Sequence, residues 1–412
     1  SSDYYLEEIR KQIIKIYGED FLYGGGLSVK SSLDTHAQKI ADLSLKSGLL
    51  EYDKRNGYRG VVENHKKKNW FKQYIGIKQP YNFIIAKILE FNEINGDVII
   101  EVLEGKEVFS GYLSNYSWAR KSLGKGYLGP KIDKASQFLK INDIVHVSSG
   151  GGNSYNLEQV PKINGAIVVM DPHTGRVFAL SGGFDFNESN FNRVYQAKRQ
   201  PGSSFKPFVY MSALENGLQP NSLILDAPFV LDQGKALGKW KPENYGKKFY
   251  GPSTLRKGIE NSRNLMTIRI AQYLGMDRIT ELAERTNIMS NMPPVLSMAL
   301  GAGETSLIKL TSAYASLANG GKKVESSIID RIQDRRGKNI FILDQAICEN
   351  CNQPYIEENP KPKIINKSEI IFDEVNAYQM VSILKGAVDR GTGRKTKIEG
   401  IEIAGKTGTT NN

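Results

Sequence analysis

In Arg199-Gln200-Pro201-Gly202-Ser203-Ser204-Phe205-Lys206-Pro207-Phe208-Val209-Tyr210-Met211-Ser212-Ala213-Leu214-Glu215-Asn216-Gly217 a turn becomes a helix. Pro201-Gly202 ends a loop, and a helix through Phe208, Tyr210 and Leu214 runs to the Asn216-Gly217 stop. Ser203 then sits at a helix N-terminus, where unpaired N–H groups and the dipole favour developing negative charge. Lys206 follows one turn later, on the same face. A serine hydroxyl is a poor nucleophile unless a neighbour takes its proton. A lysine can do so when burial or nearby cations lower its pKa.

Two further motifs lie downstream. Ser262-Arg263-Asn264 alternates, so Ser262 and Asn264 point into one cleft while Arg263 points away. Ser262 is placed to relay a proton toward a leaving amine, and Asn264 to bond Lys206 and a substrate amide. Lys406-Thr407-Gly408-Thr409 follows Ile401-Glu402-Ile403-Ala404, which alternates like a strand. Gly408 is expected to clear space for a peptide lying along that strand. Lys406 adds positive charge, and Thr407 and Thr409 add hydroxyls. The N–H groups of Thr409 and Ser203 are the candidate oxyanion hole. Taken singly, these motifs read as an N-cap serine, a surface loop and a glycine-ended strand, but their ordered occurrence is rare.

A Ser-His-Asp hydrolase is disfavoured. It needs a histidine beside the nucleophile, and His36, His65, His146 and His173 are scattered through other segments. Gly-x-Ser-x-Gly is absent around Ser203. No metal site is expected, since no H-E-x-x-H occurs and Cys348 and Cys351 form a lone CxxC. In an oxidising compartment those cysteines form a local disulfide, and otherwise two free thiols.

Further from the motifs, residues 4–17 predict a helix with Leu6, Ile9, Ile13 and Ile16 on one face. Gly24-Gly25-Gly26 breaks the chain, residues 27–33 alternate like a strand, and a helix capped by Asp34 runs to about Leu50. The glycine run lacks a following Lys-Ser/Thr and is no phosphate loop. Residues 60–148 are strand-rich, with segments at 83–89, 97–103, 107–113 and 144–147 and a hairpin signal at Asn95-Gly96. They predict a small OB-like barrel. Lys66, Lys67, Lys68, Trp70, Trp118, Arg120 and Lys121 are either a ligand face or a solvated basic surface with core aromatics. Residues 148–153 read as a flexible linker. Residues 165–170 predict a strand buried on both faces, and residues 176–181 return antiparallel.

At 412 residues the chain is too long for one ordinary core. Its apolar (40%) and charged (24%) fractions are those of a soluble globular protein. The net charge of +11 suits an anionic partner: nucleic acid, a membrane surface or a cell-wall polymer. No nucleic-acid-binding motif supports the first. No apolar run is long enough to span a membrane, and no signal peptide is visible.

The ordered trio S-x-x-K, S-x-N and K-T-G is shared by class A β-lactamases and penicillin-binding proteins, and the chain resembles the class A penicillin-binding proteins, nearest the 1A branch. Residues 199–208, Lys241-Pro242-Glu243-Asn244-Tyr245, Tyr250 to Arg256, Ala299 to Glu304 and Gly405 to Thr410 carry the likeness. Residues 24–34 resemble the linker after that family's glycosyltransferase domain, and the β-rich block resembles the OB-like insert of the 1A branch. The resemblance implies an α/β (α+β) penicillin-binding/β-lactamase-like transpeptidase domain, with an antiparallel sheet flanked by helices, plus the small barrel. The expected division is 1–59 as linker and N-terminal part of the transpeptidase region, 60–150 as barrel, and 151–412 as transpeptidase domain. The chain starts without Met and ends just after Thr409. It is therefore expected to represent part of a longer protein, lacking the glycosyltransferase domain, the membrane anchor and the strands that close the sheet.

The implied activity is D-Ala-D-Ala transpeptidation through a Ser203 acyl-enzyme, with Lys206 as base and Lys406 and Thr409 on the donor carboxylate. β-Lactams are the implied inhibitors, and no cofactor is needed. The implied partners are peptidoglycan stem peptides and glycan, with cell-wall proteins docking on the barrel. The implied location is the periplasmic face of the bacterial inner membrane. Two other readings stay open: a D,D-carboxypeptidase or β-lactamase using water as acceptor, and an inactive β-lactam-binding sensor or scaffold. A class A β-lactamase needs a deacylating glutamate, and Glu304 is a candidate by composition only.

Overall fold

The chain opens on elements that belong to a body completed some three hundred residues later. The structure, a computed structural model, describes residues 2–92, 97–124, 126–234, 238–352, 354, 360–365 and 368–410. Helix α1 (Asp3–Tyr17) buries Tyr5, Ile9 and Ile13, four apart, with Tyr4 and Glu8 beside them. The Tyr5 hydroxyl donates to the carbonyl of Val177 at 2.7 Å. Leu6 (56% exposed) and Ile16 (66%), expected on the buried face, are not on it. The tyrosines shift the contact stripe, leaving Leu6 on the flank.

A short helix α2 (Glu19–Gly24) leads to strand β1 (Ser28–Ser31). Helix α3 (Thr35–Arg55) follows, its first N–H groups capped by the Asp34 carboxylate as expected. Within it, buried Gln38 exchanges two hydrogen bonds with the backbone of Leu180, as a neighbouring strand would.

The barrel comes next. After β2 (Glu63–Asn64), strands β3 (Ile84–Phe91), β4 (Val98–Glu104), β5 (Glu107–Ser114), β6 (Asp143–Gly151) and β7 (Ser154–Glu158) pair in the order β6-β3-β4-β5-β7, and β7 returns to β6. The five strands thus close an OB-like barrel, with β5–β7 parallel and the other pairs antiparallel. Closure removes both sheet edges. Ile88, Ile100, Val102, Val147 and Leu157 fill the core. The Asn95-Gly96 turn lies outside the described residues. The expected linker at 148–153 is the end of β6 and its turn into β7, so the sheet continues past residue 150, where the sequence suggests a boundary. Trp70 is fully buried against Ile85 and Ile144, and Trp118 packs against the main barrel core. Both aromatics of the candidate ligand face are therefore committed to packing.

Entry to and exit from the barrel are joined at one buried carboxylate. Asp53 accepts from the Arg59 guanidinium (2.9 Å), the Gln159 amide (2.8 Å) and the Lys162 backbone N–H (3.2 Å). Leu49, Phe83 and Phe184 form the apolar contact between barrel and body.

In the body, β8 (Ile167–Met170) and β9 (Val177–Ser181) form the expected antiparallel hairpin. β9 is buried, but β8 is only half covered, with Val169 37% exposed. Expected to be buried on both faces, β8 instead pairs, among the described residues, with β9 alone. Helix α4 (Lys206–Glu215) buries every residue from Lys206 to Leu214. Around it pack α5 (Leu255–Glu260), α6 (Asn264–Leu274), α7 (Met276–Arg285), α8 (Leu307–Ala318) and α9 (Glu374–Asp389). Fully burying side chains such as Phe208 and Leu214 stabilises by about 1.5–3 kcal/mol each.

Two short pairs, β10 (Leu223–Asp226) with β13 (Gly251–Thr254) and β11 (Leu231–Asp232) with β12 (Lys239–Trp240), lie between α4 and α5. β14 (Ile329–Gln333) joins β1 to β15 (Asn339–Ile342), so the N-terminal segment completes the body. In the hairpin of β16 (Ile347–Glu349) and β17 (Lys363–Ile365), Cys348 is disulfide-bonded to Cys351. Ile401–Ala404 forms no strand. Among the described residues an isolated bridge joins Ile398 to Ile401, with no ladder to a neighbouring strand.

Residues 57–160, expressed alone, should give a sheet-rich circular dichroism spectrum and one cooperative thermal transition. The barrel has its own closed sheet and core, and forfeits the cover on Phe83, about 1.5–3 kcal/mol, together with the bonds of Arg59 and Gln159 to Asp53. A featureless spectrum would show that the body is needed to fold it.

Candidate active site

Ser203 lies in a single 3-10 turn, Gly202–Phe205, that runs into α4. Three close approaches hold this turn. Gly202 has φ +53°, and a Cβ there would strike the Thr409 carbonyl. A Cβ on Gly301 would strike the carbonyl of Gly202, and one on Gly408 the Ser204 hydroxyl. Glycine is therefore required where the segments around 202, 301 and 408 stack. The missing side chain of Gly408 faces the nucleophile turn, so the close approach it permits is to Ser204 and Pro201, and not the expected space for a peptide. The Gly202 N–H donates to Gly301 O at 3.1 Å, and the Tyr314 hydroxyl donates to Ser204 O at 2.7 Å.

Lys206 has no solvent exposure. Its Nζ lies 2.7 Å from Ser262 O, 2.6 Å from Asn264 Oδ1 and 3.3 Å from Ser262 Oγ. Ser262 and Asn264 thus share one partner, as their spacing predicts, and Arg263 turns away to stack on Tyr250. The expected contact between Lys206 and the Ser203 hydroxyl is not a hydrogen bond. The three bonds to the Ser262–Asn264 turn direct the amine toward that turn.

Lys406 Nζ donates to Ser262 Oγ (2.9 Å) and to Thr407 O (2.8 Å). One hydroxyl therefore touches both lysines. Burial and then the Lys406 charge hold the Lys206 pKa well below the ordinary lysine value. Burial lowers Lys406 to about 8. Lys206 donates to Ser262 O and Asn264 Oδ1. The Ser262 hydroxyl oxygen accepts from both amines, Lys206 at 3.3 Å and Lys406 at 2.9 Å. Ser262 Oγ thus bridges the two amines.

The Thr407 hydroxyl is 2.8 Å from that of Thr392. The backbone N–H groups of Ser203 and Thr409 have no acceptor among the described residues. No histidine bonds Ser203: His173 meets Asn319, and His146 meets Gln79 within the barrel, its pKa lowered by burial to about 4. Glu304 is exposed.

Sequence reading missed Thr392 and Asn244. The first lies beyond α9, with no motif around it. Asn244 was noted only within the Lys241–Tyr245 likeness. Its side-chain oxygen accepts from the Asn264 N–H at 2.9 Å, a contact no spacing predicts.

Comparison with known proteins gives matches over the whole chain. A family model described as the penicillin binding protein transpeptidase domain matches residues 165–295 and 291–412, and one described as the penicillin-binding protein OB-like domain matches 58–163. Penicillin-binding protein 1A of Rickettsia typhi is 40% identical over 420 residues, covering 100% of this chain and 52% of that protein. The protein of the same name from Pseudomonas aeruginosa is 31% identical, covering 100% of this chain and 54% of its own length. The chain thus spans about half the length of the curated relatives it matches. A crystal structure of penicillin-binding protein 1A from Haemophilus influenzae superposes with TM-score 0.80 at 28% identity, covering 99% of this chain and 62% of that one. The PonA1 protein of Mycobacterium tuberculosis, solved with penicillin V, has TM-score 0.58 at 16% identity over 99% of this chain and 77% of that one, and shares the fold.

Replacing Lys406 by Met should raise the pKa of Lys206, because a like charge is removed from beside a buried amine. NMR titration of 13C-labelled lysine side chains in parent and variant measures this. A Lys206 titration unchanged or shifted downward would contradict the coupling of the two amines.

Proposed function

Because this chain belongs to the penicillin-binding protein transpeptidase family, we propose that it cross-links peptidoglycan stem peptides as a serine D-Ala-D-Ala transpeptidase. One observation carries the assignment: two lysine amines meet on the Ser262 hydroxyl beside an accessible serine in a glycine-clamped turn. Such an arrangement can move a proton without histidine or metal.

In this reading Lys206, neutral at working pH, takes the Ser203 proton as Oγ attacks the carbonyl of the penultimate D-Ala. The amine must first turn from the Ser262 hydroxyl toward Ser203. The N–H groups of Ser203 and Thr409 receive the oxyanion. The tetrahedral intermediate expels the terminal D-Ala amine, which gains a proton through Ser262. An amine of a neighbouring stem peptide then attacks the acyl-enzyme, forms the new amide and frees Ser203. Asn264 orients Lys206, while Lys406, with Thr407 and Thr409, binds the donor carboxylate, and Gly408 lets their segment reach the nucleophile turn.

β-Lactams acylate the same serine, so they are the inhibitors expected of this site. The net charge of +11 agrees with an anionic wall polymer. The proposed location is the periplasmic face of the inner membrane. Among the described residues no helix is long and apolar enough to cross a membrane. Docking of cell-wall proteins on the barrel remains part of the proposal.

Benzylpenicillin should add its mass to the chain as a lasting adduct, and peptide mapping should place it on Ser203. Ser203→Ala should abolish it without unfolding the body. An adduct on Ser204 or Ser262 would overturn the assignment, and a rapidly lost adduct would point to a hydrolase. Lys206→Arg keeps the charge but cannot act as a base. Its acylation rate should fall at least ~10²-fold, and a rate equal to the parent's would remove Lys206 from the mechanism.

A further inference from the structure

Two buried polar residues outside the three motifs are tied to the Ser262–Asn264 turn. We propose that Asp226 and Asn244 form a positioning pair that sets the geometry of Ser262 and Asn264, and through them the seat of the Lys206 amine. The proposal rests on the reading of Ser203 as the acylated residue.

Asp226 ends β10 with no solvent exposure, and Asn244 is 6% exposed in the loop between β12 and β13. Both amide hydrogens of Asn244 are used, by Asp226 Oδ1 at 2.7 Å and Lys248 O at 2.9 Å. Its oxygen accepts from the N–H groups of Asn264 (2.9 Å) and Leu265 (3.3 Å). A flipped amide would put its oxygen against a carboxylate and a carbonyl, and its NH2 against two donors. An ionised carboxylate only accepts, so Asp226 dictates which end of Asn244 faces α6.

Those two N–H groups open α6, which has no side-chain cap from its own N-cap residue, Arg263. Asn244 supplies, from a distant loop, what a Ser or Asp supplies at an ordinary N-cap. Arg263 is used elsewhere: its guanidinium is 3.6 Å from Asp226 and stacks over Tyr250. Just before it, Ser262 has φ +55°, a left-handed conformation that costs a non-glycine residue energy and persists only when its surroundings hold it. Asn244 and Asp226 grip the turn on one side, and Lys206 on the other.

The same loop sets the Asn264 side chain. Glu243 O accepts from Asn264 Nδ2 at 2.7 Å, which leaves Oδ1 to face Lys206. Residues 243 and 244 therefore determine both where α6 begins and which end of the Asn264 amide meets the amine.

A pair that merely stabilises the fold would change how many molecules can be labelled. A positioning pair changes how fast a folded molecule is acylated. The test is stopped-flow acylation of the full chain by a fluorescent penicillin at saturating concentration, for Asp226→Asn, Asn244→Asp and the double variant. Labelling amplitude counts competent molecules, and the limiting rate constant is read separately from apparent affinity. In Asp226→Asn the side-chain oxygen can still accept from Asn244, but the charge is lost and position 226 no longer excludes the flipped amide, so the limiting rate should fall about tenfold. Amplitude and affinity should stay near the parent's.

The double variant exchanges the two side chains and restores the bond between positions 226 and 244, while leaving Lys248 O without its donor. The carboxylate, now at position 244, still accepts from the two N–H groups of α6, and the amide, now at position 226, donates to it. This variant should recover about half or more of the logarithmic loss. Reduced amplitude with an unchanged rate in the labelled fraction would overturn the proposal. Parent-like rates in both single variants, or a double variant no faster than the slower single one, would do the same. If Asp226→Asn does not fold, Asn244→Ala, which keeps the Asp226–Arg263 contact, is read by the same criteria. A parent chain that takes no acyl group would mark failure of the Ser203 reading, whatever the variants do.

Discussion

A lysine amine without access to water costs several kcal/mol unless it sheds its charge or finds acceptors; burial pushes Lys206 toward the neutral form, and it finds acceptors. Its acceptors come from Ser262 and Asn264, 56 and 58 residues away along the chain. Its like-charged neighbour, Lys406, reaches the same Ser262 hydroxyl from 144 residues beyond Ser262. Three segments must therefore converge on one point inside the body. Much of the helical packing around α4 serves that convergence, since α4 carries Lys206 as its first residue and is buried along nearly its whole length.

Convergence at this range needs backbone to approach backbone. The glycines at 202, 301 and 408 allow it, because each meets atoms of a neighbouring segment where a Cβ would stand. The serine turn is thereby fixed from two sides, while the Ser203 hydroxyl has no hydrogen-bonded partner among the described residues.

The barrel stands apart from this requirement. Its closed sheet satisfies its own backbone, and Asp53 ties its entry to its exit. A hundred-residue unit is thus inserted while the helices and strands on either side of it, α1, β1 and α3 before and β8, β9 and β14 after, still form one body. The cost of such a loop grows slowly with its length.

Local rules were enough for much of this. The Asp34 cap, the strand-like segments of β3 to β6, the β8–β9 hairpin and the three motifs are all readable because their determinants lie within a few residues of each other. Where burial depends on distant partners, local rules misled: Leu6 and Ile16 lie outside the contact stripe, and Ile401–Ala404 pairs with no strand among the described residues. The sequence by itself determined the residue types able to move a proton, their order, and the family likeness. Only the tertiary structure decided that Lys206 faces Ser262 and Asn264 and not Ser203, that Gly408 serves the nucleophile turn, and that Asn244 caps α6. Those outcomes depend on which atoms lie within about 3 Å across segments scores of residues apart, and no spacing along the chain encodes that distance.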